Sequence, residues 1–294
     1  MKSTLILNDL TCIDHAYIDS NGLIIGGSFH ATVFVTGEVT KEESVVIDFS
    51  TVKSKLKSFI DNKYTGFDHK LWILSDSKAN VSVHSDKFSV TTPHVKIDTD
   101  QQALRYINAE YSHHYIAKEM EKYLEEMIED EDVKYSIRVQ LFENFHALNG
   151  EMSTYRFRYA HGLKDSTSYG CQNIAHGHLS YVQLLDADFN PAYTDELHSI
   201  MQPIAEKLNN TYFVSESNVV YNANDILCLS YESCDRGVFS ATLDTTAVKV
   251  VVLPVETTVE YLSTYVKDLC TELPAEVKYL VVSEGLSKGS VIER

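Results

Sequence analysis

The segment CQNIAHGH, residues 171–178, places a cysteine five residues before a histidine–glycine–histidine sequence. Side chains two residues apart on a β-strand point to the same face, so His176 and His178 would project side by side there. Two imidazoles on one strand face provide half of a zinc site, and His161, in the strand-like segment RFRYAHG, is the best candidate for the third ligand. Three nitrogens and an open fourth position are typical of a catalytic Zn²⁺ site. The alternative is chance proximity among the 12 histidines of the chain.

Cys171 lies in SYGCQN, a glycine-containing loop, whereas a structural cysteine usually lies within an apolar run. A thiol close to Zn²⁺ or to a charged imidazole has a lowered pKa and can act as a base. Cys228 and Cys234 are a weaker metal pair, because their C-x5-C spacing is not accompanied by a second pair of ligands. The sequence therefore favours chemistry at Cys171.

Composition excludes several classes of partner. The net charge of -17 argues against nucleic acid, because phosphate contacts need clustered lysine and arginine. Five cysteines without even spacing do not resemble a disulfide framework, and the segment MKSTLILNDL lacks the apolar core of a signal peptide. No run approaches the length of a membrane span, so we expect a cytoplasmic protein with a small-molecule partner.

The chain of 294 residues is long enough for two domains, and its halves show the same order of predicted elements: strands, helix, strands, helix, strand. The predicted helices lie within residues 45–61, 101–128, 196–208 and 257–270. We expect the boundary near Asn149-Gly150, which gives units of residues 1–150 and 151–294. Neighbouring strands with helices between them favour an α+β fold, with antiparallel sheets that carry helices on one face.

The sequence resembles the family of 6-pyruvoyl-tetrahydropterin synthase and 6-carboxytetrahydropterin synthase, whose fold is the tunnelling fold, or T-fold. In that family one strand ends in a zinc histidine, the next loop carries the catalytic cysteine, and HGH opens the following strand. His161, Cys171 and the HGH at 176–178 match this pattern. The resemblance implies bound Zn²⁺ and two tandem T-fold units, each an antiparallel β-sheet with two helices on one face.

The family motifs divide between the two halves. VVIDFSTVKSKLK and GFDHKLW resemble a strand–helix segment and an Asp–His motif of the family, which implies catalytic roles for Asp68 and His69. The first half reads Ile-Gly-Gly at 25–27 in place of HGH, so its zinc site is lost and His15 is interpreted as a relic of the first ligand. The second half reads Asn-Asn at 209–210 where the Asp–His pair is expected. These losses are complementary, as expected if one active site forms where two units meet.

Each half also keeps a candidate for the glutamate that holds the pterin ring in this family, Glu143 in VQLFEN and Glu284 in VVSEG. A carboxylate suits that role because it accepts two parallel hydrogen bonds from the ring N–H and the exocyclic amine. The sequence leaves the choice between them open. Strand-rich insertions at about 73–97 and 214–253 depart from the family pattern.

The resemblance implies 7,8-dihydroneopterin triphosphate as the substrate. The favoured product is 6-carboxy-5,6,7,8-tetrahydropterin, formed with release of acetaldehyde on the route to 7-deazaguanine bases of the queuosine type. The alternatives are 6-pyruvoyltetrahydropterin, formed by elimination of triphosphate, and a non-catalytic module that binds a pterin or purine. T-fold units have open sheet edges, so we expect a homo-oligomer; three chains would give the six units usual in the family. Whether the active site forms within or between chains stays open.

Overall fold

The fold is that of a computed structural model, which describes residues 1–40, 44–84, 87–128, 135–148 and 153–294. Over these ranges the chain forms four α-helices and seventeen β-strands. The helices are α1 (Phe49–Ile60), α2 (His113–Ile128), α3 (Asp195–Leu208) and α4 (Val259–Leu269). The strands are β1 (Lys2–Ile18), β2 (Ile24–Glu38), β3 (Lys70–Leu74), β4 (Asn80–His84), β5 (Lys87–Thr91), β6 (Val95–Thr99), β7 (Leu104–Ile107), β8 (Ser136–Phe142), β9 (Thr154–His161), β10 (His176–Leu185), β11 (Thr211–Ser215), β12 (Val219–Ala223), β13 (Ile226–Ser233), β14 (Gly237–Asp244), β15 (Lys249–Leu253), β16 (Tyr279–Glu284) and β17 (Lys288–Glu293). None of the described helices combines the length and the apolar character needed to cross a membrane.

The first sheet has the strand order β7-β3-β1-β2-β8 and comes entirely from the first half of the chain. Its centre is the long antiparallel hairpin of β1 and β2. Helix α1 begins after Asp48, whose carboxylate accepts a hydrogen bond from the Thr51 N–H at 2.8 Å. Val52, Leu56 and Ile60, spaced four residues apart, form its buried face. Both α1 and α2 pack into one apolar core against this sheet.

The second sheet has the order β15-β11-β9-β10-β16-β17 and comes entirely from the second half. Its central hairpin is β9 and β10, and α3 and α4 share one apolar core with it. Helix α3 begins after Thr194, whose hydroxyl accepts a hydrogen bond from the Leu197 N–H at 3.1 Å. Apart from β17, the strand order is that of the first sheet, with each strand replaced by its counterpart along the chain. This shared order is consistent with the predicted duplication.

The third sheet has the order β12-β13-β14-β6-β5-β4, with three strands from each half. Strands β14 and β6 pair antiparallel, with Ser240 opposite Asp98, and this pairing joins the halves. The Ser240 hydroxyl also donates a hydrogen bond to the Asp98 carboxylate at 3.0 Å. These strands lie largely in the two segments identified above as insertions, which therefore build one shared sheet.

The two central hairpins cross at Gly26 of β2 and Gly177 of β10. A Cβ atom on Gly177 would lie 2.7 Å from the Gly26 Cα, and one on Gly26 would overlap the Tyr159 carbonyl oxygen. Beside this crossing, the Leu179 N–H donates a hydrogen bond to the Ser28 hydroxyl at 3.0 Å. The two backbones therefore approach to a distance that only glycine permits.

The predicted α+β fold is confirmed, but the sheets are mixed and not purely antiparallel. Strand β3 runs parallel to β1, and β7 runs parallel to β3; the equivalent strands of the second sheet do the same. Between β2 and β3 lies helix α1, and after it the chain re-enters the sheet beside His15, near the far end of β1, and continues in the direction of β1.

The helix predicted over residues 101–128 begins only at His113. Residues Gln101–Ala103 form a 3₁₀ turn, and β7 follows it and pairs with the buried strand β3. Pairing with the open edge of β3 outweighs the local preference of this segment for helix. The predicted boundary at Asn149-Gly150 lies outside the described residues.

Phe239 of β14 is fully buried in a core to which both halves contribute. Phe239→Ala should therefore lower the free energy of unfolding by about 3–5 kcal/mol, because it leaves a cavity. Urea unfolding followed by the fluorescence of Trp72, the single tryptophan of the chain, measures this effect. Trp72 lies in the first half, so it reports whether a substitution in the second half destabilises the first. Val238→Ala, on the exposed face of the same strand, is the control and should change stability by less than about 0.5 kcal/mol. An unchanged Trp72 transition in Phe239→Ala would contradict the coupling of the halves.

Candidate active site

The three predicted metal ligands lie together on β9 and β10, where His161 is directly opposite His176. His161, His176 and His178, called the histidine cluster below, are all buried. The Nε2 atoms of His161 and His178 are 3.3 Å apart, and one ligand atom from each of the three residues lies within 4.8 Å of the others. The His176 Nε2 atom is buried without a hydrogen-bond partner in the described part of the chain.

The second ring nitrogen of each histidine lies close to a polar atom, and at His161 and His176 the contact is a hydrogen bond. Each Nδ1 atom lies next to a different partner: His161 next to Thr257 at 2.9 Å, His176 next to Asn173 at 3.0 Å, and His178 next to Asp14 at 3.2 Å. The first two partners are backbone carbonyl oxygens, which fix the tautomer by accepting the Nδ1 proton, and the third is a carboxylate. Burial and the two neighbouring imidazoles hold the pKa of His161 well below its ordinary value, so this ring is neutral. Nε2 lone pairs that converge in this way fit a divalent metal ion with at least one coordination position left open.

Cys171 lies beside this cluster, in the loop between β9 and β10. Its Sγ atom and one nitrogen each from His69 and His176 all lie within 4.8 Å of one another. Burial alone would raise the pKa of the Cys171 thiol, but the nearby imidazoles of His176 and His69 lower it to about 4. The preceding residue permits this approach, because a Cβ atom on Gly170 would lie 2.6 Å from that of His69. Cys171 is therefore a thiolate at neutral pH, as a base or nucleophile must be.

Asp68 and His69 come from the first half and lie just before β3. The Asp68 carboxylate is 2.6 Å from the Nδ1 atom of His69. His69 has a left-handed backbone conformation, with φ of 53°, and its N–H donates a hydrogen bond to the Asp14 carbonyl oxygen at 2.6 Å. Burial opposes protonation of His69, but Asp68 outweighs it and raises the pKa of the imidazole well above its ordinary value. A charged imidazole from one half and a thiolate from the other thus lie within 4.8 Å of each other in a single chain.

Asn173 connects these two groups and was missed by the sequence analysis. Its side-chain amide donates hydrogen bonds to the carbonyl oxygens of His69 at 3.1 Å and Ala103 at 3.2 Å. Its own carbonyl oxygen accepts a hydrogen bond from the Nδ1 atom of His176. One buried residue therefore holds the metal-ligand loop against the Asp–His turn. The available signal was an amide side chain between the cysteine and the first histidine of CQNIAHGH.

Asp14 of β1 is the second residue missed, and it is 2% exposed. Its carboxylate accepts a hydrogen bond from the Ser28 hydroxyl at 2.5 Å and lies 3.5 Å from the Lys288 ammonium. Burial opposes ionisation, but His178 and Lys288 hold the pKa of Asp14 well below its usual range. An ionised carboxylate next to a ligand histidine orients the ring and increases its basicity. The sequence carries no signal for this role, because Asp14 lies in CIDHAYI without a motif.

The two candidate glutamates occupy equivalent positions after β8 and at the end of β16, but their surroundings differ. Glu284 is 3.2 Å from the Lys288 ammonium. Burial would raise the pKa of Glu284, but His178 and Lys288 lower it. Glu143 instead forms an ion pair with Arg158 at 2.8 Å. Glu284 is therefore the glutamate next to the histidine cluster.

The contacts of Asp14 with Asp68 and His69, next to the histidine cluster, are called the first junction. The second junction has the same backbone contacts but different side chains. Asn209 accepts a hydrogen bond from the Arg158 N–H at 2.9 Å, and the Asn210 N–H donates to the Arg158 carbonyl oxygen at 2.7 Å. The Asp–His pair makes the same two contacts with Asp14. The Arg158 guanidinium donates a hydrogen bond to the Gly26 carbonyl oxygen at 3.0 Å. A partly buried cation thus takes the place at the second junction that the Asp14 carboxylate has at the first.

The interpretation of His15 as a relic ligand is wrong. In the second half, His161 is paired with the first residue of HGH. In the first half, the residue paired with the first position of Ile-Gly-Gly is Tyr17, so Tyr17 and not His15 is the equivalent of His161. The loop between the paired strands is shorter in the first half, residues 19–23, than in the second, residues 162–175. Counting residues along the chain therefore does not identify equivalent positions in the two halves. His15 is a buried ring in an aromatic stack.

No protein-family model matches this chain, and no curated protein matches it. Among solved structures, the chain is similar to a catalytic-residue mutant of Plasmodium vivax 6-pyruvoyltetrahydropterin synthase, with 19% identity and a TM-score of 0.38 over 48% of this chain and 91% of that one. It is also similar to the 6-pyruvoyl tetrahydropterin synthase of Plasmodium falciparum, with 16% identity and a TM-score of 0.36 over 48% of this chain and 96% of that one. A likeness at this level does not assign an activity.

Asp14→Asn should weaken Co²⁺ binding to the histidine cluster about 10- to 100-fold, because the neutral amide no longer holds the His178 ring by charge. Calorimetric titration of the metal-free protein with Co²⁺ measures the affinity, and thermal unfolding of the same samples checks that the fold is intact. Asp76→Asn changes an exposed carboxylate after β3 and should bind Co²⁺ as the unmodified protein does. Equal affinity in the Asp14 and Asp76 variants would show that Asp14 does not position the ring.

Proposed function

We propose that this chain is a zinc-dependent lyase that converts 7,8-dihydroneopterin triphosphate and water to 6-carboxy-5,6,7,8-tetrahydropterin, acetaldehyde and triphosphate. One observation carries the proposal: His176 belongs to two groups of side chains whose ligand atoms lie within 4.8 Å of one another, one with His161 and His178 and the other with Cys171 and His69, and His69 is paired with Asp68. A histidine cluster alone would fit a structural metal. A thiolate on one side and a charged imidazole on the other fit proton transfer to and from a bound molecule.

Three imidazoles with an open position suit Zn²⁺, which when bound supplies a Lewis acid that polarises the hydroxyl oxygens of the substrate side chain. In the proposed reaction Cys171, as the thiolate, removes a proton from a side-chain carbon. His69, kept charged by Asp68, exchanges a proton on the other side. The thiolate sulfur and an imidazole nitrogen lie within 4.8 Å of each other, so a single bound side chain can contact both. Asn173 holds the loop that carries the thiol against the turn that carries the imidazole.

Glu284 is the proposed partner of the pterin ring. Its partner Lys288 also lies 3.5 Å from Asp14, which is next to His178, so a ring held by Glu284 can extend its side chain toward the histidine cluster. Both glutamates have a cationic partner. That of Glu143 is the Arg158 guanidinium, whose side chain is 21% exposed, whereas that of Glu284 is the Lys288 ammonium, whose side chain is 49% exposed and can turn aside. The Glu284 carboxylate can then accept the two parallel hydrogen bonds that recognition of the ring requires.

We further propose that residues 1–150 and 151–294 are tandem T-fold units. The shared strand order and the matching contacts of Asp14 and Arg158 at the two junctions support this division. Strands β7 and β8 end the first sheet and β15 and β17 end the second, and these strands offer edges for pairing with other chains. The proposed assembly is a trimer of 33.2 kDa chains, which native mass spectrometry would distinguish from a monomer.

The lyase proposal is tested by incubating the zinc-loaded protein with 7,8-dihydroneopterin triphosphate and following the pterin product and acetaldehyde. Cys171→Ala should lower turnover at least about 100-fold, because the base is removed, while zinc stays bound at the histidine cluster. His178→Ala should lose both turnover and this zinc. Cys234→Ala removes an exposed thiol and should keep full activity.

Zinc bound at the histidine cluster without any product, even at high protein concentration, would contradict the lyase and favour a pterin- or purine-binding module. Full activity of Cys171→Ala would contradict the role of the thiolate. If 6-pyruvoyltetrahydropterin and triphosphate form without acetaldehyde, the pyruvoyl reaction replaces the carboxy reaction as the function.

The choice of glutamate is tested by a matched pair of variants. Glu284→Gln should raise KM for the pterin substrate about 10- to 100-fold, because a hydrogen-bonded charge is lost. Glu143→Gln should leave KM within about twofold, since its carboxylate is paired with Arg158. Steady-state kinetics on both variants gives the answer, and the reverse result would assign the pterin to Glu143.

A further inference from the structure

Asp9, His30 and His146 form a second group of metal-type ligands, separate from the histidine cluster. One ligand atom from each residue lies within 4.8 Å of the others. The Asp9 carboxylate is 3.7 Å from the His146 Nε2 atom, and the two imidazole rings are stacked with their centroids 4.4 Å apart. The three residues come from β1, β2 and the segment after β8, so only the folded chain brings them together.

His30 is the unusual member of this group. It is 4% exposed, yet neither of its ring nitrogens has a hydrogen-bond partner within the described ranges of the chain. A buried polar group without a partner destabilises the folded state by about 1–3 kcal/mol. By contrast, His161 and His176 each form a hydrogen bond at Nδ1, and the His178 Nδ1 atom is 3.2 Å from the Asp14 carboxylate. A metal ion is a partner that the lone pair of a neutral imidazole can take.

The backbone fixes the two exposed members beside this buried ring. Asp9 has a left-handed conformation, with φ of 46°, at a bulge in the pairing of β1 with β2, and bulges commonly redirect a side chain. The N–H of His146 donates a hydrogen bond to the Leu286 carbonyl oxygen at 2.9 Å, and Phe145 before it is buried. The side chains of Asp9 and His146 are each 51% exposed, so they can turn while their backbones stay in place.

We propose that Asp9, His30 and His146 bind a late first-row divalent metal ion such as Zn²⁺ or Co²⁺. Two imidazoles and one carboxylate are ligands that such ions prefer, and they leave coordination positions open. The rings are nearly parallel, at 16°, so His146 turns to aim its nitrogen at the ion bound by His30. The net charge of -17 also favours the approach of a cation. This site depends on none of the residues of the proposed lyase reaction.

The test is equilibrium dialysis of the metal-free, full-length chain against Co²⁺ alone. The unmodified protein should bind two ions per chain, one at each site. His146→Ala should bind one ion. Asp9→Asn should bind the second ion at least about tenfold more weakly, because losing a direct ligand lowers metal affinity more than losing an outer-shell contact does. His178→Ala should also bind one ion, and the double variant His146→Ala, His178→Ala none. His114→Ala, at an exposed histidine on α2, is the control and should bind two.

The outcomes separate this inference from the proposed function. One ion per chain that is lost in His178→Ala and kept in His146→Ala would overturn the second site and leave the lyase proposal intact. Two ions in His146→Ala and in Asp9→Asn, with unchanged affinity, would also overturn it. An ion lost in His146→Ala while the histidine cluster binds none would support the second site and contradict the lyase proposal.

Discussion

The contact between Gly26 and Gly177 is the constraint on which the rest of the molecule depends. Neither position has room for a Cβ atom, so the two central hairpins approach at backbone distance. At that distance Ser28 of the first half accepts a hydrogen bond from a backbone N–H of the second. Asp14, which accepts a hydrogen bond from the same serine, then lies against His178. A side chain at the crossing would separate the halves and move the buried Asp14 carboxylate away from His178.

The two junctions carry opposite charges although their backbones match. Asp14 and Arg158 make equivalent main-chain contacts with the residues that precede β3 and β11. A buried carboxylate attracts a metal ion, and a partly buried guanidinium repels it. The inversion of charge at one pair of equivalent positions thus accounts for a metal-type cluster at the first junction. At the second junction Arg158 pairs with Glu143.

Sequence reasoning succeeded where the signal is local. The spacing of His176 and His178 on one strand, the amphipathic pattern of α1 and the strand-rich insertions were all readable along the chain. The pairing of the Asp–His turn with Cys171 followed only from the family resemblance. Asp14 could not be predicted, because its role depends on which residue of the other half lies opposite it. For the same reason β7 was predicted as helix, since the open edge of β3 that determines its conformation is not visible in its own sequence.

The third sheet has a consequence for how the chain folds. Its central contact, between Asp98 and Ser240, joins residues 142 positions apart. Closing a loop of that length costs roughly 4 kcal/mol of chain entropy before any contact across it is gained. At about 5–20 residues per second, synthesis of the intervening chain takes on the order of 10 s. During that interval β6 has an unpaired edge, which is the kind of surface that recruits other chains. Newly made protein is therefore most prone to aggregate after its first half has emerged and before β14 arrives to pair with it.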